Sequence, residues 1–252
     1  MKHLVIPDTQ VRPGDDLTFL RKIGQYIVDK QPDVIIHLGD HADMPSLSSY
    51  DMGKKAFEGR RYVSDITAAK EGMDTLFEPI DDYNNKARKN GKKQYKPKTV
   101  LTLGNHENRI NRAVNDDAKL EGVLSIADLE YEKRWSVHNF LDVVIIDGVA
   151  YSHYFVTGVA GRPASSARAQ LLKTHMSAIA GHQQGLQIAT GSRADGTRLQ
   201  SIIAGSFHEH QEDYLGPQGN QHWRGLLYLH EVNNGHFDLM NVSLRWLKTK
   251  YS

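Results

Sequence analysis

Five short apolar runs, each followed directly by a small or polar cluster, constrain the fold more than any other feature of the chain. Near-continuous apolar runs of this length are typical of strands buried on both faces. The runs cover residues 4–6, 34–38, 100–103, 143–150 and 178–180. Between the first two runs, Leu17, Leu20, Ile23 and Ile27 recur at helical spacing. This order predicts a βαβ unit and therefore an α/β protein.

The rest of the chain is interpreted as parts of the same domain. No Pro- or Ser-rich linker and no internal repeat interrupts it, so we expect a single domain over residues 1–252. The apolar spacing from Val63 to Ile80 predicts a helical insertion at about 44–98. Residues 226–247, with a turn at 233–235, predict a C-terminal β-hairpin. Three large aromatic residues in the last third, Tyr214, Trp223 and Trp246, are interpreted as packing residues.

Composition excludes several kinds of chemistry. The chain has no cysteine, which excludes disulfides, thiolate nucleophiles and cysteine-ligated zinc. A formal net charge of +1 predicts no global field toward nucleic acid or an anionic membrane. No apolar stretch approaches the roughly 20 residues of a membrane span. We therefore expect a soluble, intracellular, cytoplasmic protein without a membrane partner, and the sequence gives no indication of its oligomeric state.

The polar clusters predict one convergent site, because ligands of open α/β sheets collect outside the carboxyl ends of the strands. Asp8 and Gln10 are two residues apart, so both side chains point to the same side of an extended chain. Carboxylates, carboxamides and imidazoles that meet at one place form a mixed oxygen and nitrogen site for divalent metals. The clusters are Pro7-Asp8-Thr9-Gln10, Gly39-Asp40, Gly104-Asn105-His106-Glu107, Ser152-His153 and Gly181-His182.

In this order the clusters resemble the motifs of the calcineurin-like metallophosphoesterase superfamily. The family pattern is D-x-H, GD-x-x-D, GNH[DE], a lone His and GH-x-H, and the resemblance runs from Asp8 to about Ser206. It implies a four-layer α/β/β/α sandwich of two mixed sheets flanked by helices. It also implies a metal-dependent hydrolase acting on phosphoric ester bonds. The segment after Gly205 is similar to uncharacterised bacteriophage phosphoesterases, for which a nucleic-acid or nucleotide substrate would be expected.

The resemblance implies two divalent metal ions, a bridging hydroxide that attacks phosphorus, and His106 as general acid beside the scissile group. Asp43 is expected to hold the loop rather than a metal. Asp40 would bridge the two ions. The remaining ligands implied are Asp8, Gln10 and Gln184 for the first ion, and Asn105, His153 and His182 for the second.

Two positions depart from the family pattern, because Gln10 and Gln184 stand where histidine is usual. Carboxamide oxygen is a harder donor than imidazole nitrogen. Both changes belong to the first metal, so we expect Mn²⁺, with Mg²⁺, Zn²⁺, Fe or Co²⁺ as alternatives. Met44-Pro45 replaces the Arg-Gly of protein Ser/Thr phosphatases, which disfavours a protein phosphatase.

Further candidates leave alternatives open. Arg109 and His41 are candidate substrate contacts, against a surface position for Arg109 and a solvent-facing loop for His41. Residues 86–98 carry seven basic residues in thirteen, which predicts either a solvated helix end or a nucleic-acid contact. The function that we expect is hydrolysis of phosphate esters, with phosphodiesters of nucleic acid or nucleotides modestly favoured. A phosphomonoesterase and a catalytically weak scaffold for phospho-ligands or partners are the alternatives.

Overall fold

The computed structural model describes residues 1–211 and 216–252, and Tyr214 lies outside the described residues. The strands are β1 (His3–Ile6), β2 (Val34–His37), β3 (Lys98–Thr102), β4 (Ser136–His138), β5 (Val144–Ile146), β6 (Val149–Ser152), β7 (Val156–Thr157), β8 (Arg162–Pro163), β9 (Ala178–Ala180), β10 (Leu186–Ser192), β11 (Arg198–Ala204), β12 (Gly225–Asn233) and β13 (His236–Ser243). The α-helices are α1 (Thr18–Lys30), α2 (Tyr62–Lys89), α3 (Arg109–Asp116), α4 (Ala167–Thr174), α5 (Gly216–Gly219) and α6 (Leu244–Lys250).

Two mixed sheets form the centre of the molecule. One has the order β13-β12-β1-β2-β3-β4, and the other has the order β10-β11-β9-β6-β5. In the first sheet β1 to β4 run parallel, while β12 is antiparallel to β1. In the second, β6, β9 and β11 are parallel and β5 and β10 are antiparallel edge strands. This arrangement confirms the expected two-sheet α/β architecture.

Alternate side chains along the strands pack into two separate cores, because successive side chains of a strand point to opposite faces. Val5 packs with Ile36, Tyr151 and Ile179 in the core between the two sheets. Its neighbours Leu4 and Ile6 pack instead against α1 and α2 on the outer face of the first sheet. Helix α4 covers the outer face of the second sheet. The result is four layers in the order helix, sheet, sheet, helix.

The segment between β2 and β3 is helical, as its apolar spacing predicts. Helix α2 extends over 28 residues and packs along α1. Its buried side chains, such as Ile66, Met73 and Phe77, join the outer core of the first sheet. Among the described residues, no helix combines the length and the apolar composition needed to cross a membrane.

The C-terminal hairpin is shorter than the sequence predicts. β12 and β13 pair antiparallel, but the chain becomes helical at Leu244, so the expected strand up to residue 247 is wrong. The Ser243 side chain caps the helix by accepting from Trp246 N at 3.2 Å. Leu244 and Leu247 then turn into the core shared with α1. A strand would have placed these two leucines on opposite faces.

The basic segment at residues 86–98 lies at the amino ends of the parallel strands. It consists of the end of α2 and the loop that leads into β3, and its Lys and Arg side chains are exposed. Tyr95 anchors the loop, because its hydroxyl donates to Pro32 O at 2.7 Å. The polar clusters follow the opposite, carboxyl ends of the strands. The basic segment therefore faces away from the predicted site.

Candidate metal centre

The polar clusters leave their strands through unusual backbone turns. Gln10, Asp40 and His182 adopt left-handed φ values of 41°, 49° and 67°. Non-glycine residues take this region at a cost, and it is concentrated at functional sites. The turns after β2 and β3 also touch, because a Cβ on Gly104 would lie 2.0 Å from Asp40 Oδ1. Only glycine at position 104 permits this approach.

Glu107 fastens these two turns together. Its buried carboxylate accepts backbone N–H groups of Asp40 and Gly104, each at 2.9 Å, and of Ala42 at 3.0 Å. Burial, reinforced by the charge of Asp40, raises the pKa of Glu107. No role was predicted for Glu107 from the sequence. Its position in the Gly-Asn-His-Glu cluster, directly after a buried strand, was the available signal.

Three predicted ligands form what we call the nitrogen-rich half of the centre: Asn105, His153 and His182. Asn105 Oδ1 lies 2.9 Å from His153 Nε2 and 2.7 Å from His182 Nδ1. Asp40 Oδ2 is 3.4 Å from His153 Nε2. Among the described residues, Asp40, His153 and His182 can each offer a ligand atom within 4.8 Å of the others.

A backbone hydrogen bond fixes the orientation of the His153 ring. Its Nδ1 lies 2.8 Å from the Leu38 carbonyl oxygen, to which it can only donate. Without an ion, the second nitrogen, Nε2, donates toward Asn105 Oδ1 at 2.9 Å, and it is the nitrogen that would bind a metal after losing its proton. Metal-ligating histidines are usually held in this way by a carbonyl or carboxylate.

Three further predicted ligands form the oxygen-rich half: Asp8, Gln10 and Gln184. Each has a buried side-chain oxygen without a hydrogen-bond partner among the described residues, namely Asp8 Oδ2, Gln10 Oε1 and Gln184 Oε1. A buried polar atom left unpaired costs about 1–3 kcal/mol. A cation bound by these three residues would give each of these oxygens a partner. The residues present therefore fit a divalent metal.

The backbone brings the oxygen-rich half to the same sheet edge. Asp8 forms a bridge with Ser206, so the chain after β11 returns to the end of β1. Asp8 Oδ1 accepts the His182 backbone N–H at 3.1 Å. Gln10 N donates to Asp40 O at 2.9 Å. The two halves are thus joined through Asp8, Asp40 and His182.

The two carboxylates of the centre differ in acidity. Burial, opposed by His153, raises the pKa of Asp8 to about 7. Burial also acts on Asp40, but the neighbouring His106 and His153 outweigh it and hold its pKa well below the ordinary range. Asp40 is therefore the ionised carboxylate between the histidines, and it is the natural anchor for a cation.

His106 lies beside the ligands and is held by Asp43. His106 Nδ1 is 2.6 Å from Asp43 Oδ1, while its Nε2 is 3.7 Å from Asp40 Oδ2. Burial lowers the pKa of His106, but Asp40 and Asp43 outweigh it and raise the pKa overall. Arg12 forms an ion pair with Asp43. Arg109 donates to Asp43 O at 2.7 Å and has Nη2 3.2 Å from His106 Nε2.

His41 does not occupy the exposed position that a substrate contact requires. It is fully buried under α2, with Nε2 donating to Ala69 O at 3.0 Å and Nδ1 2.8 Å from Thr9 Oγ1. Burial lowers its pKa to about 4. Both ring nitrogens are used inside the protein, so the expected substrate contact by His41 is corrected to a packing role.

Carboxylate and imidazole groups that meet at the carboxyl ends of two packed mixed sheets can hold a divalent metal ion. The model of the calcineurin-like phosphoesterase family matches residues 1–182. The chain belongs to this family, whose members hydrolyse phosphoesters and use divalent metal ions.

Comparisons with individual proteins give narrower or weaker likenesses. The Gene 54 proteins of Mycobacterium phages L5 and D29 are 40% and 39% identical to this chain over 67 residues. Each match covers 27% of this chain and 26% of the phage protein, so the chain matches about a quarter of the length of these relatives. A solved archaeal phosphodiesterase is 16% identical, with a TM-score of 0.42, covering 96% of this chain and 100% of its own. The E. coli phosphoesterase Yfce is 10% identical, with a TM-score of 0.37 and the same two coverages.

Proposed function

We propose that the protein hydrolyses phosphodiesters at a centre of two divalent ions. Asp8, Gln10 and Gln184 would hold one ion, and Asn105, His153 and His182 the other, with Asp40 shared. The observation that carries the proposal is the cluster of Asp40, His153 and His182, whose ligand atoms lie within 4.8 Å of one another, with Asp8 joined to it through the His182 backbone.

The side chains around the ions have separate roles in this proposal. When bound, two divalent ions polarise the phosphate and supply hydroxide at neutral pH, as in other two-metal sites. His106 protonates the leaving oxygen, since its raised pKa favours the imidazolium form. Asp43 orients the ring through Nδ1. Arg109, whose guanidinium group adjoins His106 Nε2, binds a phosphate oxygen.

Manganese is the ion that we propose. The oxygen-rich half offers carboxylate and carboxamide oxygens and no imidazole among Asp8, Gln10 and Gln184. Such donors suit Mn²⁺ or Mg²⁺, whereas imidazole suits Zn²⁺ and Fe. The nitrogen-rich half adds two imidazoles, which Mn²⁺ also accepts.

Two features bear on the class of ester: the residues after Asp43 and the position of the basic segment. Met44-Pro45 after Asp43 argues against a protein phosphatase, and the basic segment at 86–98 gives no support for a polynucleotide because it faces away from the centre. The absent Arg-Gly pair is the feature that still favours phosphodiesters, which we propose as the substrates. A phosphomonoesterase is the second candidate, because Arg109 beside His106 could balance the additional charge of a monoester.

The test uses chelated full-length protein reloaded with Mn²⁺, Mg²⁺, Zn²⁺ or Co²⁺. Turnover is measured on a bis-aryl phosphodiester and on the matching aryl monoester, and bound metal is counted. We expect two ions per chain, the highest activity with Mn²⁺, and a higher kcat/KM for the diester. Preference for the monoester would favour the second candidate. Metal binding without turnover on either ester would leave a phospho-ligand scaffold.

A further inference from the structure

Two aromatic side chains that the sequence analysis missed, Phe140 and Tyr154, pack against the histidines of the nitrogen-rich half. The Tyr154 ring centroid is 4.8 Å from that of His182 and 5.8 Å from that of His153. Phe140 meets Tyr154 edge-on at 5.4 Å and lies 6.2 Å from His153. We call Phe140 and Tyr154 the aromatic wall.

The aromatic wall leads from the buried ligands to the surface. His153 is fully buried, whereas Phe140 and Tyr154 are only partly buried. The Tyr154 hydroxyl makes one long hydrogen bond of 3.4 Å, to Gly161 O between β7 and β8. Residues that only support a metal ligand can be fully covered. Phe140 and Tyr154 instead each keep part of their surface exposed while they pack against His153 or His182.

The place of the aromatic wall limits the kind of ligand that it can meet. Aromatic rings beside a site for phosphate match a ligand that has both a planar ring and a negative charge. The basic segment at residues 86–98 contributes nothing to such a ligand, because it lies at the other end of the sheets.

We propose that the aromatic wall binds a planar aromatic ring carried by the ester group of the substrate. The inference rests on the proposed phosphoesterase function and narrows its substrate class. A nucleoside and a simple aryl group share this chemistry. Stacking on a protein aromatic ring typically strengthens binding by about 5- to 100-fold per base. The same gain is expected here over an alkyl ester.

The test measures binding, so that it does not depend on turnover. Mn²⁺-loaded protein is titrated with three phosphonates that cannot be hydrolysed: ethylphosphonate, phenylphosphonate and the phosphonate analogue of AMP. Variants are Tyr154→Leu, Tyr154→Phe and Phe140→Leu. Tyr83→Leu is the matched control, since Tyr83 is partly buried on α2 and remote from the centre. Bound manganese and circular dichroism are recorded for each variant.

The aromatic wall predicts a selective loss. Tyr154→Leu should weaken binding of the aromatic phosphonates about 5- to 100-fold while ethylphosphonate changes less than about twofold. Phe140→Leu should have a smaller effect in the same direction and provides the test if Tyr154→Leu does not fold. Tyr154→Phe keeps the ring and should keep the preference for aromatic phosphonates over ethylphosphonate, and Tyr83→Leu should bind like wild type. A loss confined to the AMP analogue identifies a nucleoside, and a loss shared with phenylphosphonate identifies any aryl group.

Two results would overturn the inference, and they are distinguishable. Equal weakening of all three phosphonates would assign Tyr154 to support of His182 alone, and the proposed phosphoesterase function would survive. Wild-type protein that binds manganese but none of the phosphonates would remove the proposed function together with the wall.

Discussion

The two ends of the paired sheets differ in whether their buried polar groups have hydrogen-bond partners. At the carboxyl ends, Asp8, Gln10 and Gln184 keep buried oxygens unpaired among the described residues. At the amino ends, His3 is fully buried with both nitrogens engaged, 2.7 Å from Tyr151 Oη and 2.9 Å from Asp147 Oδ2. The unpaired oxygens at the carboxyl ends lower stability but leave ligand atoms available. The hydrogen bonds of His3 at the amino ends join the two sheets. Activity and stability should therefore respond to substitutions at different ends.

The largest effect should come from Asp40, which contacts both halves of the centre. Asp40→Asn removes the ionised carboxylate beside His106 and His153, so we expect loss of bound metal and at least a ~1,000-fold fall in kcat/KM. Metal analysis and steady-state kinetics measure both. Asp195→Asn, in the exposed turn between β10 and β11, is the control. If Asp40→Asn kept its metal and its activity, the carboxyl ends of the sheets would not differ from the amino ends in function.

His106→Ala should separate chemistry from metal binding. We expect kcat to fall about 100- to 10,000-fold, because a positioned general acid contributes that much. Bound metal should stay near the wild-type level. The loss should shrink for esters with good leaving groups, which a series of aryl esters would reveal. If the variant loses its metals instead, His106 is a ligand and our division of roles is wrong.

Substitution can replace carboxamide oxygens of the oxygen-rich half with imidazole nitrogens. Gln10→His combined with Gln184→His supplies two imidazoles, so we expect the ratio of Zn²⁺ to Mn²⁺ affinity to rise by about tenfold or more. Competitive metal titration measures the ratio, and each single substitution serves as an intermediate. An unchanged ratio in the double variant would mean that the two glutamines do not set metal preference.

Substitutions at the amino ends of the sheets should change stability without changing activity. His3→Ala leaves Tyr151 and Asp147 without their shared partner, so we expect the free energy of unfolding to fall by about 1–3 kcal/mol with kcat unchanged. Burial lowers the pKa of His3, so the unfolded chain takes up a proton first as the pH falls below about 6.5. Wild-type stability should thus decrease below that pH, and less so in the variant. Denaturant unfolding between pH 5 and 8 tests both statements.

The smallest effect is expected from the basic segment. β3 separates it from the centre by roughly 15 Å, which exceeds the screening length of about 8–10 Å at physiological salt. Lys92→Gln with Lys93→Gln should change kcat/KM on small esters less than about twofold. A large loss with a polynucleotide substrate alone would show that long substrates reach around the sheet.

Much of the fold could be predicted because its signals are local. The apolar runs at 4–6, 34–38 and 178–180 correspond to strands β1, β2 and β9, and the helical spacing from Leu17 to Ile27 corresponds to α1. Their polar clusters follow the carboxyl ends of the strands. The family motifs then supplied the two-sheet sandwich, which no single run of residues encodes.

The errors arose where long-range packing decides. The chain from Leu244 has the apolar content of a strand, but the core beside α1 selects a helix capped by Ser243. His41 resembles a loop residue until α2 covers it. Tyr154 directly follows His153, but only His153 was predicted to have a role there. The place of Tyr154 in the aromatic wall depends on its contacts with Phe140 and His182, which are distant in sequence. The left-handed backbone of Gln10 and Asp40 follows from the meeting of loops and leaves no mark in composition.

The position of β1 between β2 and β12 has a consequence for the growing polypeptide. The ribosome delivers β2 soon after β1, but the strand that completes the other side of β1 arrives only after Gly225 has been made. Until then one edge of β1 presents unpaired N–H and C=O groups, which can capture a strand from another chain. The strand that leads to Asp8 therefore waits longest for its second neighbour during translation, and we expect the need for chaperones to be greatest in that interval.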